Sequence, residues 1–250
     1  MNQGTINFIF KTADDSFIFG HRNSEWTGLG PFIEEDIAFA SMAQDKIGHA
    51  WVLYKMLNEH AGLEDAEKLA FYRDINDFRN AHLVELPNGE YDFSLLRHFL
   101  FDEAEFLRYD LLLNSSFAPL AHMAKKFKGE LKYHTMHAES FMIQLGQGSE
   151  ESNTRMQKAL DAAFPYALGL FESYEGESEV IAEGVFPGEE VLKAKWLERI
   201  TPIIAQANLK MPDLNVKPIF GGRQKQHTEH FAPMMHEMRE VSSTDPNATW

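Results

Sequence analysis

The chain has 250 residues, 44% of them hydrophobic, which is enough for one sizeable core, and it contains no cysteine. Without thiols it can hold no disulfide, zinc–thiolate site, iron–sulfur cluster or cysteine nucleophile, so any metal must be bound by His, Asp or Glu. The formal charge of -15 repels phosphate backbones and anionic lipid surfaces, which argues against nucleic acid and membranes as partners.

No window approaches the roughly 18 consecutive apolar residues of a membrane span. The opening MNQGTINFIFKTADD lacks the basic segment, apolar core and cleavage site of an export signal, so a cytoplasmic protein is expected. Helical periodicity then dominates the chain. Ile6, Ile9, Phe10, Ala13, Phe17 and Gly20 recur at three- and four-residue steps as the apolar face of a first helix, and Ser16 falls on that face. Pro31 suits a first helical turn. The long run behind it, with Phe39, Ala43, Ala50, Leu53 and Leu57 on one stripe and Lys46 inside that stripe, should end before Gly62. Residues 65–83 read as one or two shorter helices, and Pro87-Asn88-Gly89 as a turn. A third long helix is expected over about 93–114, with Leu95, Phe99, Phe106 and Leu113 in register and Asp102 among them. Pro119 opens a fourth, in which Leu120, Ala124, Phe127, Leu131, His134, Ala138, Phe141 and Leu145 form a seam that Gly146 stops.

Ser152 suits the cap of a fifth helix reaching about Tyr174 and kinked at Pro165. Another helix spans about 189–208. A Pro- and Gly-rich stretch over 211–223 precedes a short helix with Phe231, Met234, Met235 and Met238, whose methionines read as packing. No alternating strand pattern is present. The predicted fold class is all-α: a single antiparallel helical bundle with its core over about 5–146, additional helices over about 153–240 and a flexible tail over about 241–250.

Polar residues inside apolar helical stripes are also how di-iron carboxylate bundles are built, with a Glu on each of two helices and Glu-x-x-His on each of two others. Two irons need about four carboxylates for charge balance, and the i, i+3 spacing sets Glu and His on one side of a helix. Both motifs are broken here. In Q-D-K-I-G-H, Lys46 stands three residues before His49, where a bridging Glu belongs, and a cation there opposes metal binding. In E-L-K-Y-H, Leu131 stands three residues before His134, while Glu130 falls off the seam. A histidine on an apolar helical face is more often a hydrogen-bonded core residue than a ligand. A buried lysine has to be paired or neutral, so Lys46 and Asp102 read as a buried ion pair. Lys125, Lys126, Lys128 and Lys132 read as a solvated helix face, with a local site for an anionic thioester as the alternative. His227 and His230, with Glu229 between them, have ligand chemistry, but their Gly- and Pro-flanked setting favours a structural or partner-contact role.

Several stretches carry a wider likeness: SEWTGLGP around Trp26, QDKIGHAW, LVELPNGEYDF over 83–93, GELKYH before Thr135, LGQGSEES, and GGRQKQHTEHFAPMMHEM over 221–238. With them the chain resembles the phenylacetyl-CoA epoxidase (ring 1,2-phenylacetyl-CoA oxygenase) family over nearly its whole length. The LVE-PNG turn combined with the GG-HTEH-PM ending looks like the C-type component of that complex. The resemblance implies a ferritin-like, non-catalytic subunit of a monooxygenase complex. Its sister chain would hold two irons, activate oxygen and epoxidise the ring of phenylacetyl-CoA, with electrons from NADPH through a reductase. Carried onto this chain, the sister's ligand positions fall on Ser16, Lys46, His49, Asp102, Leu131 and His134, with Glu103 and Glu105 near the third-helix position. Three of the four carboxylates are missing. The resemblance therefore implies a structural subunit in phenylacetate catabolism with no catalytic or cofactor-binding residue, no cofactor in this chain and iron in the sister. Its partners would be the catalytic di-iron subunit and other subunits of the complex, with a homodimer also open. The competing reading is an oxygenase in its own right, with a mononuclear iron held by His49, His134 and Asp102. Lys46, one turn from His49, stands against it.

Overall fold

The computed structural model describes residues 1–244. Its helices, in chain order, are α1 (Gln3–Ser24), α2 (Ile33–Ala61), a short α3 (His82–Glu85), α4 (Tyr91–Leu112), α5 (Ala118–Gly146), α6 (Glu150–Leu168), α7 (Glu177–Ala182), α8 (Glu189–Gln206) and α9 (Phe231–Thr244). There is no strand among the described residues. The chain is an all-α, ferritin-like bundle. α1 packs along α2 and α4 along α5, while α6 and α8 cover α4 and α7 rests on α1. Both long pairs are antiparallel: Asp14 meets Tyr54 while Gly20 meets Lys46, and Tyr109 meets Phe127 while His98 meets His134. The apolar seams of α1, α2, α4 and α5 close on one another, and each fully buried Phe or Leu on them contributes about 1.5–3 kcal/mol.

Helix ends follow local chemistry. Asn2 caps α1 by accepting from Thr5 N at 2.8 Å, and Gly62 closes α2 in the left-handed conformation at φ 69°. α5 does end at Gly146, but for a packing reason: a Cβ there would lie 2.1 Å from the Ala207 carbonyl oxygen at the end of α8. α6 is capped by Ser149 rather than Ser152, whose hydroxyl instead donates to Leu145 O at 2.6 Å. It also stops at Leu168 and passes into a 3-10 turn over Gly169–Phe171, short of the expected Tyr174.

The segment 65–83 is not made of ordinary short helices. It holds a π-helical turn (Lys68–Tyr72), a 3-10 turn (Ile75–Asp77) and the start of α3. Two acids of α1 take its backbone donors: Asp14 accepts from Arg79 N at 2.8 Å and Asp15 from Ala81 N at 2.7 Å. Residues bonded in this way need no i−4 carbonyl and leave the helix. At the other end, residues 241–244 complete α9, and the remainder of the expected tail lies outside the described residues. Among the described residues, no helix is long and apolar enough to cross a membrane.

Candidate functional site

The six candidate positions lie at the centre of the bundle, on α1 (Ser16), α2 (Lys46, His49), α4 (Asp102) and α5 (Leu131, His134), and none is more than 2% exposed. They do not converge on one point. Lys46, projecting from the buried stripe of α2, reaches across to Asp102 Oδ1, with the Phe101 ring 4.9 Å from its ammonium. The second oxygen, Asp102 Oδ2, lies 2.7 Å from His98 Nδ1 and 3.8 Å from His134 Nδ1. Burial works to raise the Asp102 carboxyl, but His98, Lys46 and His134 outweigh it and hold the group well below the ordinary carboxylate range. Burial pushes the His98 imidazole down to about 4, against the pull of Asp102. At neutral pH His98 is thus uncharged, and Lys46 is the cation that faces the ionised carboxylate.

The two motif histidines turn outward. His49 stacks on Phe127 at a centroid distance of 3.8 Å, and its Nε2 lies 2.8 Å from Glu130 Oε2. Burial drives His49 down to about 4 against that hydrogen bond, so the neutral ring donates and Glu130 accepts. His134 Nε2 lies 3.0 Å from Asp45 Oδ2. These hydrogen bonds are the largest influences holding the Asp45 and Glu130 carboxyls below their ordinary values. Leu131 is apolar packing, and Ser16 Oγ finds no hydrogen-bond partner among the described residues.

This donor set does not fit a di-iron centre. Asp102 is the single carboxylate among the six positions, and the Lys46 ammonium already balances its charge. The mononuclear set is not assembled either, because His49 is committed to Glu130 while Asp102 is enclosed by Lys46 and His98. Among the described residues, no three His, Asp or Glu side chains gather in a way that could hold a metal ion.

Sequence reasoning missed several members of this polar centre. His98 stands four residues before Asp102 on α4, a spacing that could have flagged it. A second set joins Glu35 to His137 Nε2 at 2.9 Å and to the Tyr91 hydroxyl. Glu103, near the third-helix ligand position, pairs with Arg199, which also reaches Glu139 at 3.0 Å. Burial first, then the Glu139 carboxyl, push Glu103 up to about 8 against the attraction of Arg199. Glu105 bonds to Arg108 at 2.8 Å.

Two further buried networks bind the added helices to the bundle. Arg223 grips both oxygens of Asp15 at 2.8 and 2.7 Å, and Glu189 at the start of α8 receives Lys11 at 2.8 Å and Arg108 at 2.9 Å. Glu85, in the LVE turn, accepts from His227 Nδ1, Thr228 N and Thr228 Oγ1, each at 2.7 Å, and from Asn80 Nδ2 at 2.8 Å. The HTEH segment is thus clasped to the LVE-PNG turn by a single buried carboxylate, while Glu229 and His230 point outward. Of the α5 lysines, Lys128 bonds to Asp110 and Lys126 lies 3.6 Å from Glu130, and Lys125 and Lys132 are exposed.

Residues 1–250 match the family described as phenylacetic acid catabolic protein. The chain is also 30% identical over 250 residues to the C subunit of 1,2-phenylacetyl-CoA epoxidase from Escherichia coli (strain K12), an alignment that covers 100% of both chains. On the strength of both matches, the chain belongs to the phenylacetic acid catabolic protein family.

Proposed function

We propose that this chain is a structural, non-catalytic subunit of a multicomponent phenylacetyl-CoA 1,2-epoxidase in the cytoplasm, stabilising a catalytic sister chain that carries the two irons. One observation carries the reading: the centre of the bundle is closed by Lys46 and Asp102 where a di-iron protein gathers carboxylates. A fixed ammonium supplies the positive charge that Asp102 needs, so the polar middle of the fold is satisfied by side chains alone. His49 and His134 no longer point their Nε2 atoms at a shared centre, and Leu131 replaces a carboxylate with packing. The end-to-end relative named as an epoxidase subunit supplies the substrate class and the multisubunit setting.

The test is co-expression with the neighbouring genes of the same operon, followed by purification through a tag on this chain. The reading requires a sister chain with an intact pair of Glu-x-x-His motifs to co-purify, and the iron to follow that sister. Iron bound stoichiometrically by this chain alone would defeat it.

A further inference from the structure

In a chain of formal charge -15, one cleft is lined mainly by cations. It lies where the start of α1, the 65–83 connection and the turn before the HTEH segment meet, and it has a volume of about 170 Å³. Its walls carry Arg73, Arg79 and Lys225 against a single acid, Asp77, with Gln3 and Phe10 completing the rim. Basic side chains brought together from separate elements repel one another, so such a cleft is costly unless something negative fills it.

The acids within reach are already committed. Asp14, behind Arg73, accepts from the Tyr54 hydroxyl at 2.6 Å, Arg73 Nη2 at 2.6 Å and Arg79 N at 2.8 Å. Asp77 accepts from Lys225 Nζ at 2.7 Å. Lys225 holds the left-handed conformation at φ 63°, uncommon for a residue with a Cβ, yet a lysine stands there with its ammonium at the cleft. The Arg73 guanidinium is fixed over the Phe78 ring at 3.9 Å, and its Nε and Nη1 have no hydrogen-bond partner among the described residues. Only 10% of this side chain remains exposed. Arg79 is freer still, since among the described residues its guanidinium forms neither an ion pair nor a hydrogen bond. Lys225 keeps two N–H groups beyond the one it gives to Asp77, and Gln3 keeps one beyond the one it gives to Asn7.

We propose that this cleft binds a phosphate group, free or as a monoester, with Arg79 and Lys225 as its direct donors and Arg73 as the fixed charge behind them. The spare donors come from three directions, from α1, the connection and the 222–225 turn, which suits a tetrahedral group with three terminal oxygens better than a planar carboxylate. A phosphate group has five heavy atoms, and the cleft has room for it. Asp77 opposes binding, but its charge is already offset by Lys225. The inference does not depend on the sister-chain reading, since it concerns the purified chain alone.

Calorimetric titration of the full-length chain in phosphate-free buffer tests it, with inorganic phosphate, adenosine monophosphate and succinate as the probes. The native chain should bind inorganic phosphate or the monophosphate saturably, with a Kd of about 1 mM or tighter that weakens as salt is added. Tighter binding of the monophosphate assigns a monoester as the occupant, and equal binding assigns the free ion. Arg79→Gln should weaken the binding by at least about tenfold with the melting temperature unchanged, because the backbone N–H that Asp14 accepts is kept. Asp77→Asn removes the opposing charge and should tighten it by about two- to fivefold, a change that a purely structural role for the cluster would not produce. No saturable binding of either phosphate probe overturns the proposal. So does an Arg79→Gln protein that binds as the native one does, or succinate binding as tightly as phosphate.

Discussion

Lys46→Met tests whether charge or volume matters at the centre of the bundle, because Met keeps much of the lysine's bulk and removes its ammonium. Asp102 would then keep its negative charge in a fully buried site, with His98 and His134 as its remaining neighbours. Breaking a buried pair from one side costs about 3–5 kcal/mol. Part of that is recoverable, since His98, held neutral by burial, can take up a proton beside an unpaired Asp102. Protonation in the folded variant favours low pH, so the loss should be smaller near pH 5 than near pH 8. Lys46→Met with Asp102→Leu removes both charges and should recover most of the loss. It leaves the His98 ring without its acceptor, a residual cost of about 1–3 kcal/mol. For a chain of this size, a loss of about 3–5 kcal/mol corresponds to a fall of roughly 6–20 °C in Tm. Thermal and urea unfolding of the native protein, both single variants and the double variant completes the cycle. Additive losses in the double variant, or a near-neutral Lys46→Met, would refute the idea that the ion pair closes this site.

Three further outcomes are expected. Glu85→Ala should release the HTEH clasp and cost about 3 kcal/mol or more, with hydrogen exchange rising over 227–231 before the bundle itself opens. Glu103, raised from its ordinary 4.5 to about 8, contributes stability that is full below 4.5 and lost as pH rises through 8, so Glu103→Gln should flatten the stability curve across that window. Lys11 is lowered from 10.5 to about 7, chiefly by burial and then by Arg108, so its contribution is full above 10.5 and lost as pH falls through 7. Lys11→Met should abolish that slope in urea unfolding between neutral and alkaline pH.

The long helices were legible because each buries a seam that repeats over many turns, and Leu120 through Leu145 is the clearest case. The connection over 65–83 was not, since its backbone donors go to Asp14 and Asp15 on a distant helix and no local pattern records that. The six-residue α7 was missed because it is too short for periodicity to show. At the centre, Lys46 and Asp102 drew attention as charges inside apolar stripes, and both are fully buried. Their companion His98 lay one turn from Asp102 in plain view, but a histidine in a helical stripe resembles any core histidine. The clasp between Glu85 and His227 spans 142 residues, a separation that single-chain pattern reading does not bridge.

The most direct test of the structural-subunit account is the iron content of this chain, measured alone and in the complex with its co-expressed sister, by elemental analysis on protein purified under reducing, iron-replete conditions. The account predicts negligible iron on the isolated chain and about two irons per sister chain in the complex. Two irons bound to the isolated chain and lost on substitution of His49 and His134 would contradict it.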